Sequence, residues 1–458
     1  MTDIATVWPE GLLLTYYGDD FTGSTDVMEA FTAAGIETVL FLEVPQASDL
    51  VRFKHMRCIG VAGQSRGKSP EWMQQHLPAI FDSLQRLGAP IMQYKVCSTF
   101  DSSPRIGSIG QALDLGVVTT RARWSPMVVG APRLKRFQIF GHLFAGAHGV
   151  VHRIDRHPTM SRHPVTPMTE SDLRLHLEAQ TQRRIELIDL SDLAEGKGQN
   201  QCTTLQGDDQ PVVMIDVADA ASQLEAGRLV WQNRGQGLFS ASSSGLQYAL
   251  TAYWRAQGLL PQKPHLPVAQ AVPCIAVVSG SCSPMSGAQI QWARAHGFPT
   301  LRLDIAKCLD ARHVDDEITR LVTSALQSIA QDVSPVVFSA EGPDDPAVLN
   351  FEALAAAAHL DKADAAEQVG QVLAEVMRRI LDESEVRRFV VAGGDSSGAV
   401  GSHLGIRALT VEAGMAPGAP LCRAWSDHPK RDGLQVVLKG GQMGSPSFYG
   451  QVRSGIFP

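Results

Sequence analysis

Long apolar runs and an excess of positive charge are both missing from this chain of 458 residues. No run approaches the roughly 18 residues that a membrane-spanning helix needs, so we expect no membrane partner. The formal net charge of −7 gives no reason to expect nucleic acid as a partner. The opening residues Met-Thr-Asp-Ile-Ala lack the basic start of a signal peptide.

Paired cysteines and a dinucleotide motif are missing as well. The seven cysteines include no C-x-x-C pair, which fits a reducing cytosol better than a disulfide framework or a structural zinc site. No G-x-G-x-x-G followed by a ribose-binding acid occurs, which disfavours a nicotinamide-dependent dehydrogenase. We therefore expect a cytoplasmic protein.

The chain does show a regular alternation of apolar strands and helices from residue 11 onward. Strands are expected near residues 36–42, 57–62, 90–96, 126–130, 185–189 and 211–217, and again near 274–279, 300–304, 335–339, 388–392 and 434–438. A helix is expected over 70–87, a less regular region over 131–170, and a pair of surface helices over 353–376. This alternation predicts an α/β fold with mostly parallel sheets and flanking helices.

A proline-rich stretch, residues 257–273, divides the alternation in two. Its composition is typical of a linker, and the length of the chain favours two domains. We therefore predict an N-terminal domain over 1–262 and a C-terminal domain over 274–458, with the active site in the cleft between them.

Two adjacent acids, Asp19 and Asp20, follow the first buried strand and precede a helix. Ligands of open α/β sheets bind at this end of the strands, although Asp, Thr and Ser are also ordinary helix caps. Capping needs one such residue, whereas six Asp, Thr and Ser residues lie within the nine positions of this stretch. The pattern favours a functional role.

Three turns of the second half follow one design, in which a buried strand ends in glycine and small polar residues. They are Ser279–Ser283, Gly393–Gly398 and Lys439–Gly444. Small residues let a backbone approach an anion closely, and amides at a helix start point towards it. Together the turns predict a site for nucleotide phosphates.

Two further patterns are weaker. Residues 62–69 nearly match a phosphate loop, but Ala62 replaces the first glycine and Pro70 follows the serine directly. His142, His148, His152, His157 and His163 lie close together, with His148 and His152 spaced as a ligand pair. Because arginines are interleaved with them, a basic surface for a carboxylate or phosphate is favoured over a metal site.

These motifs together resemble the four-carbon acid sugar kinase family. The family pattern A-D-D-[LF]-T-G-A-x-D is matched by Gly18–Asp26, its S-R turn by Ser65–Arg66, and its D-P-x-x-P-V-x-E-S-D-L segment by residues 162–173. Its S-G-S-C-S, G-G-[ED]-[TS]-S-G and K-x-G-x-x-G turns are matched by the three glycine turns. The resemblance implies an N-terminal substrate domain, a C-terminal nucleotide domain, and transfer of phosphate from ATP to a sugar-acid hydroxyl.

One segment departs from the family pattern K-x-D-S-T-L-R-G. Here Lys95, Ser98 and Thr99 are kept, but Cys97 replaces the acid and Asp101 replaces the arginine. An arginine is the natural clamp for a carboxylate, so its loss implies a rearranged pocket in which Arg105 substitutes. This version of the motif resembles the family branch of 3-oxo-isoapionate kinases, with threonate, erythronate and 3-oxo-tetronate as the alternative substrates.

The resemblance and the turns together assign roles to individual residues. Asp20 is expected to be the base for the attacking hydroxyl, with Asp19 binding a neighbouring hydroxyl or Mg²⁺, although the two roles are interchangeable. Expected substrate ligands are Thr22, Arg66, Lys95, Ser98 and Arg105. The expected cofactors are ATP and Mg²⁺, and the residues expected to bind the ATP phosphates are Ser279, Ser281, Gly393, Gly394, Asp395, Ser396, Ser397, Gly398, Gly441 and Gly444.

The sequence does not identify the metal ligands. It also leaves the oligomeric state open, and a homo-oligomer is one of the states that it allows. A non-catalytic sensor of sugar acids that kept the fold is the alternative of another class. Because both acids and all three glycine turns are present, the sequence favours the kinase.

Overall fold

The computed structural model describes residues 8–120, 122–147, 149–163, 165–262 and 266–456. The chain divides into two compact units. Unit 1 comprises residues 1–39 and 44–265, and unit 2 comprises residues 40–43 and 266–458. A short segment from the N-terminal half therefore belongs to the C-terminal unit.

Unit 1 carries most of its strands and helices in alternation. Its strands are β1 (Leu14–Gly18), β2 (Thr38–Phe41, whose last two residues belong to unit 2), β3 (Cys58–Ala62), β4 (Ile91–Lys95), β5 (Ser125–Met127), β6 (Arg136–Ile139), β7 (His142–Ala147), β8 (Val150–Arg153), β9 (Ile185–Ile188), β10 (Val212–Ile215) and β11 (Leu238–Ser242). Its helices are α1 (Phe21–Ala33), α2 (Ala47–Arg52), α3 (Pro70–Gln85), α4 (Ile109–Thr120), α5 (Leu173–Glu178), α6 (Leu190–Ala194), α7 (Gly198–Leu205), α8 (Ala220–Gln232) and α9 (Gly245–Ala256).

Three sheets make up unit 1. The main sheet has the parallel order β11-β4-β1-β3, a second parallel sheet has the order β5-β10-β9, and β6-β7-β8 form an antiparallel sheet. The register places Gly18 level with Ala62 on one side and with Lys95 on the other. The carboxyl ends of these strands, where the predicted site residues lie, therefore form one edge.

Local sequence explains the helices that cover the main sheet. Helix α3 begins at Pro70, as predicted, directly after the Ser69 cap, and it buries Met73, Leu77 and Phe81 at helical spacing. These side chains join a continuous core with residues of β4 and β11. The apolar stripe of the helix thus fixes its position on the sheet.

Serine hydroxyls join β11 to the second sheet. Ser240 Oγ donates to the Pro126 carbonyl at 2.8 Å, and Ser243 Oγ donates to the Val129 carbonyl at 2.7 Å. The amide of Val128 in turn donates to a third serine hydroxyl of this segment at 2.8 Å. We call this set of bonds the serine seam, and it positions the end of β5 through side chains instead of strand pairing.

Unit 2 has its own alternation. Its strands are β12 (Ala276–Ser279), β13 (Thr300–Arg302), β14 (Val336–Phe338), β15 (Arg388–Ala392), β16 (Ile406–Ala416), β17 (Ala419–Ser426) and β18 (Gln435–Lys439). Its helices are α10 (Pro284–Ala295), α11 (Ile305–Cys308), α12 (Val314–Ile329), α13 (Pro346–Leu349), α14 (Phe351–Ala357), α15 (Lys362–Glu383), α16 (Gly394–His403) and α17 (Phe448–Ser454).

The sheet of unit 2 has the order β16-β17-β18-β15-β12-β14-β13. The strands from β18 to β13 are parallel, whereas β16 and β17 form an antiparallel hairpin at one end. Leu40 and Phe41 pair antiparallel with the outer side of β16. The parallel register places Ser279, Ala392 and Lys439 at one level, so the three glycine turns leave the sheet side by side.

The predicted α/β class with mostly parallel sheets and flanking helices is confirmed. Each predicted strand has a counterpart, but the β16–β17 hairpin and the β6–β8 sheet were missed. The two predicted helices of 353–376 exist as α14 and α15, yet α15 is not a surface helix throughout, because it buries one face, including Val369, Leu373 and Met377. None of the helices within the described ranges combines the length and apolar composition that crossing a membrane requires.

Candidate functional site

The first group of candidate residues lies in the turn between β1 and α1. Asp20 is the N-cap of α1: its Oδ1 accepts a hydrogen bond from the Gly23 amide at 2.7 Å, and its Oδ2 accepts one from the Thr22 hydroxyl at 2.9 Å. A Cβ at position 23 would fall 2.4 Å from Asp20 Oδ1, so this approach requires glycine. The turn holds the Asp20 carboxylate in one place.

Arg66 joins the two acids into one charged cluster, which we call the Asp–Arg–Asp group. Its Nε and Nη2 donate to the two oxygens of Asp19 at 3.1 and 2.7 Å. Its Nη1 and Nη2 donate to the two oxygens of Asp20 at 2.8 and 3.0 Å. All three guanidinium nitrogens therefore face carboxylates, and four of the five N–H groups donate to them. With these bonds kept, a substrate carboxylate can bind Arg66 only through the remaining N–H of Nη1.

The two carboxylates differ in their access to solvent. The Asp19 side chain is 5% exposed and the Asp20 side chain is 24% exposed. Burial raises the pKa of Asp19, with the Arg66 charge opposing and Asp20 adding to the effect. Burial alone would lower the pKa of Arg66, but the charges of Asp19 and Asp20 outweigh it and raise that pKa well above its ordinary value. Asp20 is thus the more accessible acid.

Lys95 and Ser98 lie at and beyond the end of β4. The Lys95 ammonium is almost fully buried, donates to the Val96 carbonyl at 2.9 Å and lies 3.8 Å from Asp26 Oδ2. Ser98 is half-buried. The backbone carbonyl of Lys95 accepts from the Asp19 amide at 3.0 Å, so the structure brings this strand end beside the Asp–Arg–Asp group.

The segment that departs from the expected pattern forms a chain of hydrogen bonds. Cys97 Sγ lies 2.9 Å from the Thr99 hydroxyl, which donates to Asp101 Oδ1 at 2.7 Å. Burial raises the pKa of the Cys97 thiol to about 11, with the Asp101 charge contributing. Burial would raise the pKa of Asp101, but Arg66 and the Thr99 hydroxyl outweigh it and lower that pKa. The thiol is therefore protonated at neutral pH, and Asp101 is a third acid within the field of Arg66.

Within the described residues, no side-chain contact joins Arg105 to this cluster. It is exposed, and its backbone amide donates to the Ser103 hydroxyl at 3.3 Å. Its predicted contact with a substrate carboxylate stays a prediction.

Sequence reasoning did not single out two residues of this region. Arg136 of β6 acts electrostatically on Cys97, and its Nε is buried with no hydrogen-bond partner in the described structure. His176 of α5 lies with Nε2 3.0 Å from the Ser102 hydroxyl, and burial lowers its pKa. The available signal was the Arg- and His-rich stretch around Arg136, which indicated only a basic surface.

The second group of candidates lies entirely in unit 2, where the structure brings the three glycine turns together. A Cβ on Gly280 would fall 2.1 Å from Ser396 Oγ, and one on Gly441 would fall 2.5 Å from Ser281 Oγ. Gly393, with φ of +118°, adopts a backbone conformation that favours glycine. The three turns thus pack closely against one another, and we call this group of turns the glycine cradle.

Two helix starts contribute to the glycine cradle. Helix α10 begins after the Ser283 cap, and α16 begins after Gly393 with no side-chain cap bond. Apart from its chain neighbours and the backbone of its own helix, no atom of the described residues lies within 4 Å of a Cβ placed on Gly394, and Asp395 next to it is exposed. The amides of such helix starts and the close backbone approach suit the phosphates of a nucleotide.

The remaining predicted cradle residues have defined surroundings. Ser279 is fully buried at the end of β12, where its hydroxyl has no hydrogen-bond partner among the described residues. Ser397 Oγ donates within α16 to the Gly393 carbonyl at 2.7 Å, and Gly398 follows it in the same helix. Gly444 has φ of +81°, and its Cβ would fall 2.7 Å from the Phe448 ring.

The two weaker patterns also have defined positions. Ser69 caps α3 before Pro70, outside the helix start that a phosphate loop would need. His142 Nδ1 lies 2.9 Å from the Ser171 hydroxyl, and His157 Nδ1 accepts from the Met160 amide at 3.1 Å. His148 lies outside the described residues, so the proposed pair with His152 stays a prediction.

Two family models match this chain. A sugar-binding N-terminal domain matches residues 14–250, and a nucleotide-binding C-terminal domain matches residues 276–449. The chain is 62% identical to a 3-oxo-isoapionate kinase of Paraburkholderia graminis, over 98% of this chain and 96% of that protein. It is 30% identical to a 3-oxo-tetronate kinase of Cupriavidus necator, over 95% of each chain.

Solved structures share the fold. A proposed tRNA synthase of Salmonella typhimurium LT2 superposes with a TM-score of 0.76 at 26% identity, over 96% of this chain and 98% of that chain. A Haemophilus influenzae protein of the DUF1537 family superposes with a TM-score of 0.70 at 23% identity, over 97% and 100%.

Proposed function

Because the chain belongs to the four-carbon acid sugar kinase family and is an ATP-dependent acid sugar kinase, we propose that its acceptor substrate is 3-oxo-isoapionate. The observation that carries this proposal is the identity of 62% over nearly the whole length of a 3-oxo-isoapionate kinase. Identity to the 3-oxo-tetronate kinases is 30% or lower over a similar length. The 3-oxo-tetronate reaction is the second candidate.

The replaced segment of unit 1 supports a change of substrate. The chain holds Cys97 and Asp101 where the family has an acid and an arginine, and both lie beside the Asp–Arg–Asp group. Loss of the arginine removes a bidentate clamp, so a sugar acid must present its carboxylate to other cations. We assign this task to Arg66, Lys95 and Arg105, as expected from the sequence, with the neutral Ser98 as a further substrate ligand. We add Arg136 because its Nε is buried with no hydrogen-bond partner among the described residues.

Asp20 is the proposed base for the attacking hydroxyl. Its carboxylate is more exposed than that of Asp19, and a base must reach the proton that it takes. Asp19 has the raised pKa, which favours proton uptake, but access decides first because its side chain is 5% exposed. Asp19 is therefore assigned to holding Arg66 and a neighbouring hydroxyl, and Thr22 to orienting Asp20.

Unit 2 is the proposed nucleotide domain and unit 1 the proposed substrate domain. The glycine cradle would bind the phosphates of ATP through backbone amides of Ser281, Gly394 and Gly441 and through the Ser396 hydroxyl. Mg²⁺ would accompany ATP, and in such sites it is held largely by phosphate oxygens and one or two carboxylates. That residues of both units act in one active site stays a prediction.

We also propose a cytoplasmic location, because every cysteine that the structure describes is a free thiol. Formation of a homo-oligomer stays open.

Steady-state kinetics on a panel of acids tests the substrate. The panel contains 3-oxo-isoapionate, 3-oxo-tetronate, threonate and erythronate, and ADP release is measured with ATP and Mg²⁺. We expect kcat/KM for 3-oxo-isoapionate to exceed that for 3-oxo-tetronate by at least about tenfold, as pocket contacts to one extra group provide. A preference for 3-oxo-tetronate would contradict the substrate, and no turnover on any acid would favour a non-catalytic sensor.

A matched pair of variants sharpens the test. Cys97→Asp with Asp101→Arg restores the acid and the arginine of the family pattern and should move the preference towards 3-oxo-tetronate. Cys97→Ser is the control, because it keeps a small neutral side chain beside Thr99.

A further inference from the structure

Lys439 is a lysine in the interior of unit 2, at the carboxyl end of β18. Its relative exposure is 0%, and it lies level with Ala392 where β15 gives way to the Gly393 turn. Lysine is almost never fully buried unless it is paired with an acid. Across the described residues, no carboxylate forms an ion pair with Lys439. A structural salt bridge therefore does not explain why this lysine is buried.

The ammonium of Lys439 lies against the inner side of the glycine cradle. Its Nζ donates to the Gly441 carbonyl at 3.4 Å and to Ser286 Oγ at 3.5 Å, both long hydrogen bonds. The same Gly441 carbonyl accepts from Ser283 Oγ at 2.6 Å and from Ser286 Oγ at 3.1 Å. The amine thus contacts the loop that lines the proposed phosphate site but is weakly held there.

The surroundings of Lys439 are polar but uncharged. Helix α10 presents Ser283 and Ser286 to it, and the loop after β18 presents a carbonyl. The titratable groups of the elements packed against β18 are Arg388 on β15, Cys422 and Arg423 on β17, and Asp395 and His403 on α16, with Cys282 before α10 and Arg294 on that helix. Asp395 is the one carboxylate among them, and within the described residues it forms no ion pair with Lys439. Burial alone lowers the pKa of Lys439 from 10.5 to about 7.

Resting on the proposed nucleotide site, we infer that Lys439 is the internal counter-charge for the nucleotide phosphates and takes up a proton when a nucleotide binds. The phosphates supply the negative charge that the neutral hydrogen-bond partners of the amine do not provide. Lys439 acts through the Gly441 loop, without contact with solvent, so it is a positioning residue. Its charge holds the loop closed on the anion.

Proton uptake can be measured by titration calorimetry of the full chain with ADP and Mg²⁺. The titrations are run at pH 8 in two buffers of different ionisation enthalpy. With a pKa of about 7, roughly a tenth of Lys439 is charged in the free protein at pH 8, so binding should take up close to one proton. This pH lies well above the titration of a phosphate near pH 6, which keeps the nucleotide's own protons out of the measurement.

The affinity for ADP should also depend on pH in a defined direction. Because the charged amine favours binding and is lost above pH 7, affinity should fall up to tenfold per pH unit between pH 7.5 and 9. Lys439→Met should remove this dependence and the proton uptake, and it should weaken ADP binding at pH 7.5 by at least tenfold. Lys307→Met changes an exposed lysine of α11 and is the control. Its proton uptake, ADP affinity and pH dependence should equal those of the unchanged protein.

Two results would overturn the inference: no proton uptake by the unchanged protein, or a Lys439→Met variant that binds ADP with unchanged affinity and pH dependence. Should the variant fail to fold, the proton uptake of the unchanged protein still decides. The titration contains no sugar acid, so it is independent of the proposed substrate. If ADP binds tightly without proton uptake, the nucleotide site stands and only the role of Lys439 fails.

Discussion

At the scale of single residues, Asp20 combines a structural and a chemical task. It caps α1 through the Gly23 amide and at the same time faces Arg66. Capping and function are therefore not alternatives in this turn. A test of its chemistry must keep the cap intact.

Asp20→Asn meets this condition, because Asn is as good an N-cap as Asp. We expect the variant to fold, to bind ATP with unchanged affinity, and to lose at least a hundredfold in kcat, as loss of a general base causes. Calorimetry with the nucleotide and steady-state turnover measure the two quantities.

Asp219→Asn is the matched control. Asp219 caps α8 by accepting the Ser222 amide at 2.8 Å, at a helix to which we assign no role. It should leave kcat unchanged within a factor of two or so, since only the cap is altered. A loss in kcat below tenfold for Asp20→Asn would contradict the proposed base.

Among the helices, α16 has a first turn that a ligand can approach closely. Its cap position is Gly393 at positive φ, and its first residue, Gly394, faces open space. A side chain fits there in the free protein, so a substitution at Gly394 separates nucleotide binding from folding. This is not so at Gly441, where a Cβ would collide with two serine hydroxyls.

Gly394→Val should therefore fold with little change in melting temperature and bind ADP at least about tenfold more weakly. The valine would occupy the volume in which phosphate oxygens approach the helix amides. Ser402→Val, on the exposed last turn of the same helix, introduces the same side chain away from the cradle and should bind normally. Unchanged affinity of Gly394→Val in calorimetry would remove this helix start from the nucleotide site.

The three glycine turns were predictable as a group, because parallel strands bring their carboxyl ends to one edge. The β16–β17 hairpin was missed although Pro417 and Gly418 mark its turn, since the expectation of parallel strands left no place for it. Contacts of long side chains were beyond prediction: whether Arg66 faces a ligand or two acids, and whether Lys439 is buried, depends on packing from distant parts of the chain.

At the scale of the whole molecule, the compact units do not follow the order of the chain. Residues 40–43 belong to unit 2; Leu40 and Phe41 pair with β16, and the Leu42 amide donates to the Arg407 carbonyl at 3.1 Å. Without this segment, β16 would present an open strand edge. The two compact units are therefore divided not only near the proline-rich linker but also on either side of residues 40–43.

Leu42→Pro in the full chain tests this connection, because proline cannot donate to the strand ladder. Hydrogen exchange of β16 amides should speed up at least about tenfold, while β1 and β4 of unit 1 keep their protection. Leu42→Ala removes the side chain but keeps the amide. The β16 amides of this variant should exchange at rates much closer to those of the unchanged protein. Equal loss of protection in both units would contradict the assignment of residues 40–43 to unit 2.

The serine seam has a consequence for anyone who redesigns this protein. Strand β11 pairs with β4 through its backbone and holds the end of β5 through Ser240 and Ser243. A sequence optimiser that rewards apolar cores would replace these buried serines with alanine or valine and raise the apparent quality of the core. Each such change would leave a buried backbone group of the neighbouring segment without its partner. Conservative libraries should therefore hold this strand fixed.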